Sequence, residues 1–443
     1  MNLVSSLVAP AFLALLPLSG GSDWPQFRGP NGTGAVPAAD IPLEWSATKN
    51  LAWKAALPGQ GWSSPVVIGG TVYVTAAVAE GLEHPMGMQA GIDDPRTNAA
   101  GAVPDVTIDW RVIAFDLATG KERWSQSATK AKPKFPIHPS NTWATETAAA
   151  DANGVYAFFV ATGTLAAFDP SGKPLWKAEL GSYPTMQGYG TASSPAIHEG
   201  RVFVQCYNNE KAFVACFDTK SGKELWRVAR EKAATSWCTP LLWHNAKRVE
   251  VVTSAEKLIT SLDPGTGKEI WHVNGLIGPN MCSFGADAER IYFGQASPMG
   301  TPPLIALNAG GEGDLSAKDA ASTPRSQAWS QRGASAAMAS PVAADGLLYL
   351  AMETLLTCRD ASTGEQLYKE RVPDLVTIAA SPIVIGDKLL LLDEEGNAAI
   401  VQVGPDFDVV GRGKLDDMFW STPSVAGNAL LLRGVGQLYC VRK

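Results

Sequence analysis

The side chains that could carry out catalysis in this chain are few and scattered. The five histidines have no spacing typical of a metal site; they are His84, His138, His198, His244 and His272. The sequence contains no phosphate-binding loop, no His-Glu-x-x-His and no Gly-x-Ser-x-Gly. Asp93 and Asp94 form an acidic pair in a loop, and we interpret them as solvated. The sequence therefore predicts no catalytic residue, no cofactor-binding residue and no metal ligand.

Aromatic and methionine side chains indicate a different chemistry, the binding of a ligand through π and apolar contacts. Trp62, Trp237 and Trp420 each stand just before a small residue that leads into a short apolar strand. Met281 and Met338 occupy the matching places in two other repeats. We expect these side chains to surround one opening of the fold, where they form a platform for a ligand. The alternative is that they only fill the axial channel.

The six cysteines are predicted to be free thiols. Cys206 and Cys216 flank one hairpin, in which Phe203 would face Cys216. Because side chains alternate along a strand, the two thiols would point to opposite faces of the sheet. Cys238 and Cys282 occupy matching positions in neighbouring repeats, which diverge too far for an easy bridge. We expect all six side chains to be small, mostly buried groups.

The elements that position these residues begin with a repeated turn. The segment FDTKSGKELW at 217–226 has four relatives, which begin at Asp116, Asp169, Asp263 and Asp360. Asp218 can accept backbone N–H bonds, and Gly222 supplies the positive φ of a hairpin with a bulge. Trp226 then turns inward and buries a large ring. Such docking rings are predicted at Trp53, Trp124, Trp176, Trp226, Trp271, Trp329 and Tyr368.

A second motif precedes each turn, with a small residue and proline leading into an apolar strand pair. Its prolines are Pro65, Pro195, Pro240, Pro341, Pro382 and Pro423, and we place each at the first residue of an innermost strand. Ala148 and Phe284 replace the proline in two degenerate copies, which brings the count to eight units. Spacings of 45, 41 and 41 residues recur where no insertion intervenes, a length typical of a four-stranded blade. The predicted fold is therefore all-β: an eight-bladed β-propeller over residues 23–443.

The two ends of the chain are predicted to share one blade. The eighth unit breaks off at QLYCVRK after its third strand, and the segment at 49–59 carries Trp53 before the first inner strand. We expect this N-terminal strand to close the last blade, because closure removes an open sheet edge.

Composition and the first residues limit the cellular context. The net charge of −7 and the pI of about 5.4 argue against a nucleic-acid partner. Residues 1–22 are apolar, interrupted by Pro10 and Pro17, and end in small residues, so we interpret them as a signal peptide, with an uncleaved anchor as the alternative. The mature protein is then expected to be periplasmic or secreted, monomeric and without a membrane span.

The long loops indicate which face of the propeller binds a ligand. Residues 76–106, 125–143 and 295–303 are predicted to lie on one face of the propeller, the same face as the tryptophan platform. Long loops on a rigid scaffold commonly carry binding function. The possible ligand face is therefore assigned to Trp62, His138, Trp237 and Trp420.

The Asp-x-x-Thr-Gly-Lys-x-x-Trp copies resemble the tryptophan-docking repeats of the pyrroloquinoline-quinone-like propeller superfamily. That superfamily includes quinoprotein alcohol dehydrogenases and the propeller lipoprotein of the outer-membrane barrel assembly machinery. DWPQFRGPNGTG at 23–34 and SWCTPLLW at 236–243 are similar to exported propellers of the planctomycete type. The resemblance covers essentially all of residues 23–443 and implies the fold more specifically than the function.

The resemblance to the dehydrogenases implies features that this chain does not have. Those enzymes have adjacent half-cystines and often a haem Cys-x-x-Cys-His, and this sequence contains no Cys-Cys pair and no Cys-x-x-Cys. We therefore expect a non-catalytic, exported binding or scaffold propeller whose partner is an envelope protein or a glycan, without a cofactor. The alternatives are an oxidoreductase with a degenerate site for pyrroloquinoline quinone and calcium, and a role similar to the outer-membrane assembly factor.

Overall fold

The computed structural model describes residues 23–87, 102–230, 234–275, 281–294, 303–318, 324–332, 336 and 338–443. The described chain is almost entirely strand and turn, with one short 3-10 helix at Met186–Gly188. Within these ranges, no helix has the length and hydropathy needed to cross a membrane. The predicted signal peptide and the pair Asp93 and Asp94 lie outside the described residues.

Eight small sheets follow one another along the described chain. Sheet 1 contains Val66–Ile68, Thr71–Val78, Ile108–Asp116 and Glu122–Ala131. Sheet 2 contains Ala149–Asp151, Gly154–Phe159, Thr164–Phe168 and Pro174–Glu179. Sheet 3 contains Ala196–His198, Arg201–Cys206, Phe213–Asp218 and Glu224–Ala229. Sheet 4 contains Leu241–His244, Val249–Ala255, Leu258–Leu262 and Glu269–Asn274, with Gly313–Asp314 added at its edge.

The second half of the chain repeats the arrangement. Sheet 5 contains Gly285–Ala286, Arg290–Phe293, Leu304–Asn308 and Gln327–Gln331. Sheet 6 contains Val342–Ala344, Leu347–Met352, Leu355–Asp360 and Gln366–Arg371. Sheet 7 contains Ile383–Ile385, Lys388–Leu392, Asn397–Gln402 and Val409–Lys414. Sheet 8 contains Ser424–Ala426, Ala429–Arg433 and Gln437–Val441.

Three N-terminal strands complete the last two sheets. Ala35–Val36 and Glu44–Trp45 lie parallel to the two edge strands of sheet 7. Leu51–Ala56 pairs antiparallel with Gln437–Val441, with Trp53 opposite Cys440. The third N-terminal strand and the last strand of the described chain therefore share sheet 8.

The turns have the geometry that the repeat predicted. The Asp218 carboxylate accepts the Ser221 N–H at 2.8 Å, and Gly222 has a φ of 68°. The register shifts between Cys216 and Phe217, which confirms the bulge. The prediction for the prolines was wrong by one position, because each stands just before its strand; the first strand of sheet 1, for example, begins at Val66, after Pro65.

Indoles from outer strands pack on the turn glycines of the following sheet. The pairs are Trp53 with Gly120, Trp124 with Gly172, Trp176 with Gly222, Trp226 with Gly267 and Trp329 with Gly364. A Cβ added to any of these glycines would lie 2.5 to 2.7 Å from an indole carbon. The indole N–H also donates to a carbonyl of the same turn, as from Trp176 to Thr219 at 2.8 Å. Glycine is thus needed for its positive φ and for the missing side chain.

Three positions depart from this pattern. The Trp271 N–H donates to the Glu250 carboxylate of its own sheet at 2.6 Å. Tyr368 packs against the edge of Phe407, with ring centroids 5.7 Å apart. Sheet 7 has no aromatic residue on its outer strand, and Trp45 from the N-terminal segment fills that place, with its ring against Gly413.

The hydrophobic core lies between successive sheets rather than at one centre. Separate apolar clusters join sheets 1 and 2, 2 and 3, 3 and 4, 4 and 5, 5 and 6, and 6 and 7. A further cluster contains residues of sheets 7, 8 and 1, such as Leu390, Leu431 and Val72. All six cysteines are buried and unpaired, and the register that sets Phe203 opposite Cys216 is confirmed.

Candidate binding site

A ring of eight hydroxyl side chains surrounds the point where the sheets converge. One residue comes from the segment just before the first strand of each sheet; these residues are Ser64, Thr147, Ser194, Thr239, Ser283, Ser340, Ser381 and Thr422. All eight line a single cavity of about 470 Å³. The first strand of each sheet is therefore the strand nearest the cavity.

Hydrogen bonds link this hydroxyl ring from one sheet to the next. The backbone N–H of each residue donates to the hydroxyl oxygen of its neighbour, as from Ser64 to Thr147 at 2.8 Å. Seven such bonds run from sheet 1 to sheet 8, with lengths from 2.8 to 3.3 Å. At the junction of sheets 8 and 1 the Ser421 hydroxyl instead donates to the Trp62 carbonyl, at 2.9 Å. Since each bonded hydroxyl oxygen accepts a backbone bond, its proton remains for donation.

A second ring lies two residues earlier in each sheet, on the side toward the mouth of the cavity. Its members are Trp62, Thr145, Ala192, Trp237, Met281, Met338, Ala379 and Trp420, and all of them line the cavity. His138 lines the same cavity from a loop. The four residues predicted to form a ligand face, Trp62, His138, Trp237 and Trp420, therefore lie together.

Two of these tryptophans are buried and held in place by hydrogen bonds. Trp62 is 5% exposed and Trp237 is 9% exposed. The indole N–H of Trp62 donates to the Ser140 carbonyl at 2.9 Å, and the indole N–H of Trp237 donates to the Gly190 carbonyl at 2.8 Å. Trp62 also stacks on Trp420, with centroids 5.6 Å apart and planes 15° from parallel. These bonds hold the wall in one arrangement.

Tyr189 is a wall residue that sequence reasoning missed. Its ring lies between His138, at a centroid distance of 5.2 Å, and Trp237, at 6.2 Å. It stands in an irregular segment next to the helix Met186–Gly188, outside the repeated motifs, so no periodic signal marked it. Its neighbour Gly190 accepts the Trp237 bond, which explains why this segment is fixed against the wall.

Two of the long loops contribute to the mouth as predicted. Met86 comes from the insertion in sheet 1, and His138 and Asn141 come from the link to sheet 2. Both loops begin later than predicted, because their preceding strands extend to Val78 and Ala131. Residues 295–302 of the third loop lie outside the described ranges.

His138 is held by the residue two positions later in its loop. Its Nδ1 lies 2.7 Å from the Ser140 hydroxyl oxygen and 3.2 Å from the Ser140 backbone nitrogen. No residue with a formally charged side chain occurs among the described residues that line the cavity. The described wall is therefore aromatic, thioether and hydroxyl in character.

The N-terminal segment closes the opposite end of the channel. Phe27 lines the cavity, and the residues around it bond to the strands beyond the hydroxyl ring. The backbone N–H of Trp24 donates to the Val67 carbonyl at 2.8 Å. The side-chain oxygen of Gln26 accepts the Ile197 backbone N–H at 2.8 Å. These contacts attach the segment to sheets 1 and 3.

Arg28 attaches the same segment to sheets 5 and 6. It is 1% exposed, and its guanidinium donates to the carbonyls of Phe284 at 2.7 Å and Pro341 at 2.5 Å. Burial lowers the pKa of Arg28 to about 10, so the side chain stays charged at neutral pH. A buried cation solvated by backbone carbonyls is costly to displace, which makes the segment a fixed floor.

Glu146 lies behind the wall, between the cavity-lining Thr145 and Thr147. Its side chain is buried and accepts a hydrogen bond from the Thr191 hydroxyl. Burial raises the pKa of this carboxyl to about 7. It does not line the cavity.

Comparisons with known proteins agree with the repeats. A family profile described as "Outer membrane protein assembly factor BamB" matches residues 161–301. The quinone-dependent alcohol dehydrogenase subunit of Gluconacetobacter polyoxogenes is 32% identical over 136 residues. That match covers 27% of this chain and 17% of the relative, so the chain spans a small part of that enzyme.

Solved structures show the same fold at low sequence identity. BamB from Moraxella catarrhalis has a TM-score of 0.58 at 15% identity, covering 89% of this chain and 99% of that one. A europium-containing methanol dehydrogenase has a TM-score of 0.57 at 12% identity, covering 94% and 90%. The quinohemoprotein alcohol dehydrogenase ADHIIG from Pseudomonas putida has a TM-score of 0.58 at 12% identity, covering 95% and 80%. The chain is an all-β protein with the β-propeller fold of these solved structures, and its repeats are similar to those of the BamB profile and the quinone-dependent dehydrogenase.

The described residues that line the cavity do not fit pyrroloquinoline quinone. That cofactor carries three carboxylates, and desolvated carboxylates need cationic or metal partners. The described cavity wall contains no lysine or arginine and no acidic side chain that could bind calcium. In the described part of the chain, no group of three or more His, Cys, Asp or Glu side chains is placed to hold a metal ion. We therefore derive no reaction step through the quinone.

Proposed function

We propose that this protein is an exported, non-catalytic binding propeller whose ligand or partner engages the cavity face. Its eight sheets are the blades of one ring over residues 23–443, closed in sheet 8 by the N-terminal strand. The observation that carries the proposal is the cavity itself, where the four predicted ligand-face residues meet on a hydrogen-bonded wall.

The proposed location follows from the first 22 residues, which have the composition of a signal peptide. The mature protein is then periplasmic or secreted and acts as a monomer on an envelope protein or a glycan. The hydroxyl ring and the fixed floor support a rigid receptor, because a preorganised site loses little conformational entropy on binding.

The test compares two faces of the same folded protein. Wild-type protein and three variants are immobilised, envelope extract and a glycan array are applied, and the retained partner is quantified by titration. We expect Trp420→Ala and Tyr189→Ala to weaken binding by about tenfold or more, the loss expected when a central aromatic contact is truncated. Lys220→Ala, an exposed change at the opposite turn face, serves as the control and should bind as wild type.

The opposite pattern would reverse the assignment of faces. If folded Trp420→Ala and Tyr189→Ala keep full affinity while Lys220→Ala loses it, the partner binds the turn face. Circular dichroism and the thermal midpoint establish that each variant is folded before its affinity is read.

A role in outer-membrane protein assembly is the second candidate. It is favoured by the BamB profile over residues 161–301 and by the shared fold of the Moraxella protein. In that case the retained partner would be an outer-membrane protein or another assembly component. Crosslinking in intact cells, followed by mass spectrometry, distinguishes this outcome from binding of a glycan.

A further inference from the structure

We infer that the cavity takes a neutral, mainly apolar ligand, inserted by one end through a single mouth. This inference rests on the proposed function and adds the chemical class of the ligand. Three features of the described residues support it: the absence of charge in the wall, the arrangement of aromatic and thioether groups, and the closed floor.

The first feature is electrostatic. A charged ligand group that enters the cavity loses its hydration, and the described wall offers no opposite charge to replace it. Arg28, the cation nearest the floor, is already bonded to the carbonyls of Phe284, Pro341 and Thr33. Glu146 faces Thr191, away from the cavity, and burial keeps its carboxyl largely protonated below neutral pH. Two other buried charged residues lie close by: the Arg433 guanidinium donates to the Ser63 carbonyl at 3.1 Å, and the Glu394 carboxyl lies against the cavity-lining Gly87. None of these four groups lines the cavity, so no described cation in the wall can pair with an anionic ligand.

The second feature is the distribution of wall groups around the ring. Sheets 8, 1 and 4 contribute Trp420, Trp62 and Trp237, whereas sheets 5 and 6 contribute Met281 and Met338. Hydrogen bonds fix the indoles of Trp62 and Trp237, and methionine side chains adapt to the shape they meet. The fixed indoles therefore lie on two sides of the ring, on sheets 8 and 1 and on sheet 4, and the adaptable methionines follow Trp237 on sheets 5 and 6. Aromatic side chains on two sides suit a flat apolar group.

The third feature is the closed end. Phe27 lines the cavity beyond the hydroxyl ring, and the N-terminal segment around it is bonded to sheets 1, 3, 5 and 6 on that side. Seven of the eight ring hydroxyls accept a backbone N–H bond, and each of them keeps an O–H donor. A ligand whose leading end carries a neutral acceptor, such as a carbonyl, ether or hydroxyl oxygen, can accept a hydrogen bond from this hydroxyl ring.

A pair of fluorescent probes that differ in one charge tests the inference. N-Phenyl-1-naphthylamine is neutral, and 8-anilino-1-naphthalenesulfonate has the same ring framework with an added sulfonate. Both brighten in apolar surroundings, and both are small enough for a cavity of about 470 Å³. We expect the neutral probe to bind with a stoichiometry of one and the anionic probe to bind about 100-fold more weakly.

A filling substitution locates the probe. Ala379 lies in the second ring, where three other sheets carry tryptophan, so Ala379→Trp places an indole in the cavity without a new backbone conformation. This change should weaken binding of the neutral probe by about tenfold or more. Leu367→Trp is the matched control, because Leu367 is 40% exposed on an outer strand. Ala192→Trp repeats the test from sheet 3 if Ala379→Trp does not fold.

The outcomes separate the ligand class from the proposed function. Equal binding of the two probes, no binding of the neutral probe, or full binding to both filled variants overturns the inference. If that happens while Trp420→Ala and Tyr189→Ala still lose the partner, the cavity face binds a ligand of another class. If the neutral probe behaves as expected but the partner ignores these changes, the cavity is apolar and the partner binds elsewhere.

Discussion

Glu146 allows a quantitative test of how the cavity wall is held. Its pKa rises from an ordinary value of 4.5 to about 7 because the carboxyl is buried. The folded protein therefore keeps a proton on Glu146 at a pH where the unfolded chain has lost it. The associated stability is fully present below about pH 4.5 and is lost as the pH rises through about 7. A rise of this size corresponds to on the order of 3 kcal/mol in the free energy of unfolding.

The assay compares urea unfolding of the wild type and of Glu146→Gln at about pH 5 and about pH 8. Glutamine keeps an oxygen that can accept the Thr191 hydroxyl bond and does not titrate. We expect the wild type to lose roughly 3 kcal/mol relative to the variant between the two pH values. The difference between the two proteins isolates Glu146, since His198 and His244, whose pKa values burial lowers, titrate in both.

Parallel pH profiles for the two proteins would refute this reasoning. They would mean that Glu146 is ionised in the folded state at neutral pH, with water or a cation beside it. A profile in which the wild type gains stability as the pH rises would reverse the sign of the effect.

Two further predictions concern the ring. Gly222→Ala should destabilise the protein by about 2 to 4 kcal/mol, because its φ of 68° is strained for alanine and its Cβ would lie 2.5 Å from the Trp176 ring. The control is Gly346→Ala, which has a φ of 75° and no atom within 4 Å of the added Cβ, and it should lower the free energy of unfolding by only about 1 to 2 kcal/mol. Equal losses of unfolding free energy for the two variants in urea would show that the indole contact contributes no stability. Deleting residues 23–57 removes the strand Leu51–Ala56 and the floor, and should lower the thermal midpoint by about 10 °C or more; an unchanged midpoint would refute closure of the ring by this strand.

The repeating part of the fold could be predicted because its determinants are local. In each turn, an aspartate and a glycine lie within a few residues of each other and specify the hairpin by themselves. The bonds that Ser221 donates to the Asp218 carboxylate, and the bulge after Cys216, could be predicted without knowledge of distant residues. The ends of strands were predicted less well. The strand Glu122–Ala131 continues into a segment predicted as a loop, because its pairing with the neighbouring strand continues beyond the apolar pattern.

The floor and the substitute indole could not be predicted in this way. Arg28 bonds to the carbonyls of Phe284 and Pro341, more than 250 residues away in the chain. Trp45 fills the place of a missing aromatic on sheet 7, opposite Gly413. Each contact depends on where the assembled sheets leave an open edge or an unfilled channel, and no local pattern contains that information.

The hydroxyl ring shows how a visible motif can have a meaning that only the assembled fold provides. In the sequence, a serine or threonine before proline leads into a strand, and at Ser64 and Ser381 the strand begins two residues later. The structure gives the same residue type a second role, because seven of the eight hydroxyls accept a backbone bond from the preceding sheet and all eight residues line the cavity. The bond between neighbours links adjacent sheets, and each hydroxyl keeps a proton that it can donate. One repeated residue type thus links the sheets and also supplies hydroxyl groups to the cavity. A substitution of a ring hydroxyl would therefore alter both stability and ligand affinity. A substitution in the second ring, two residues earlier, would alter ligand affinity without removing a bond between sheets.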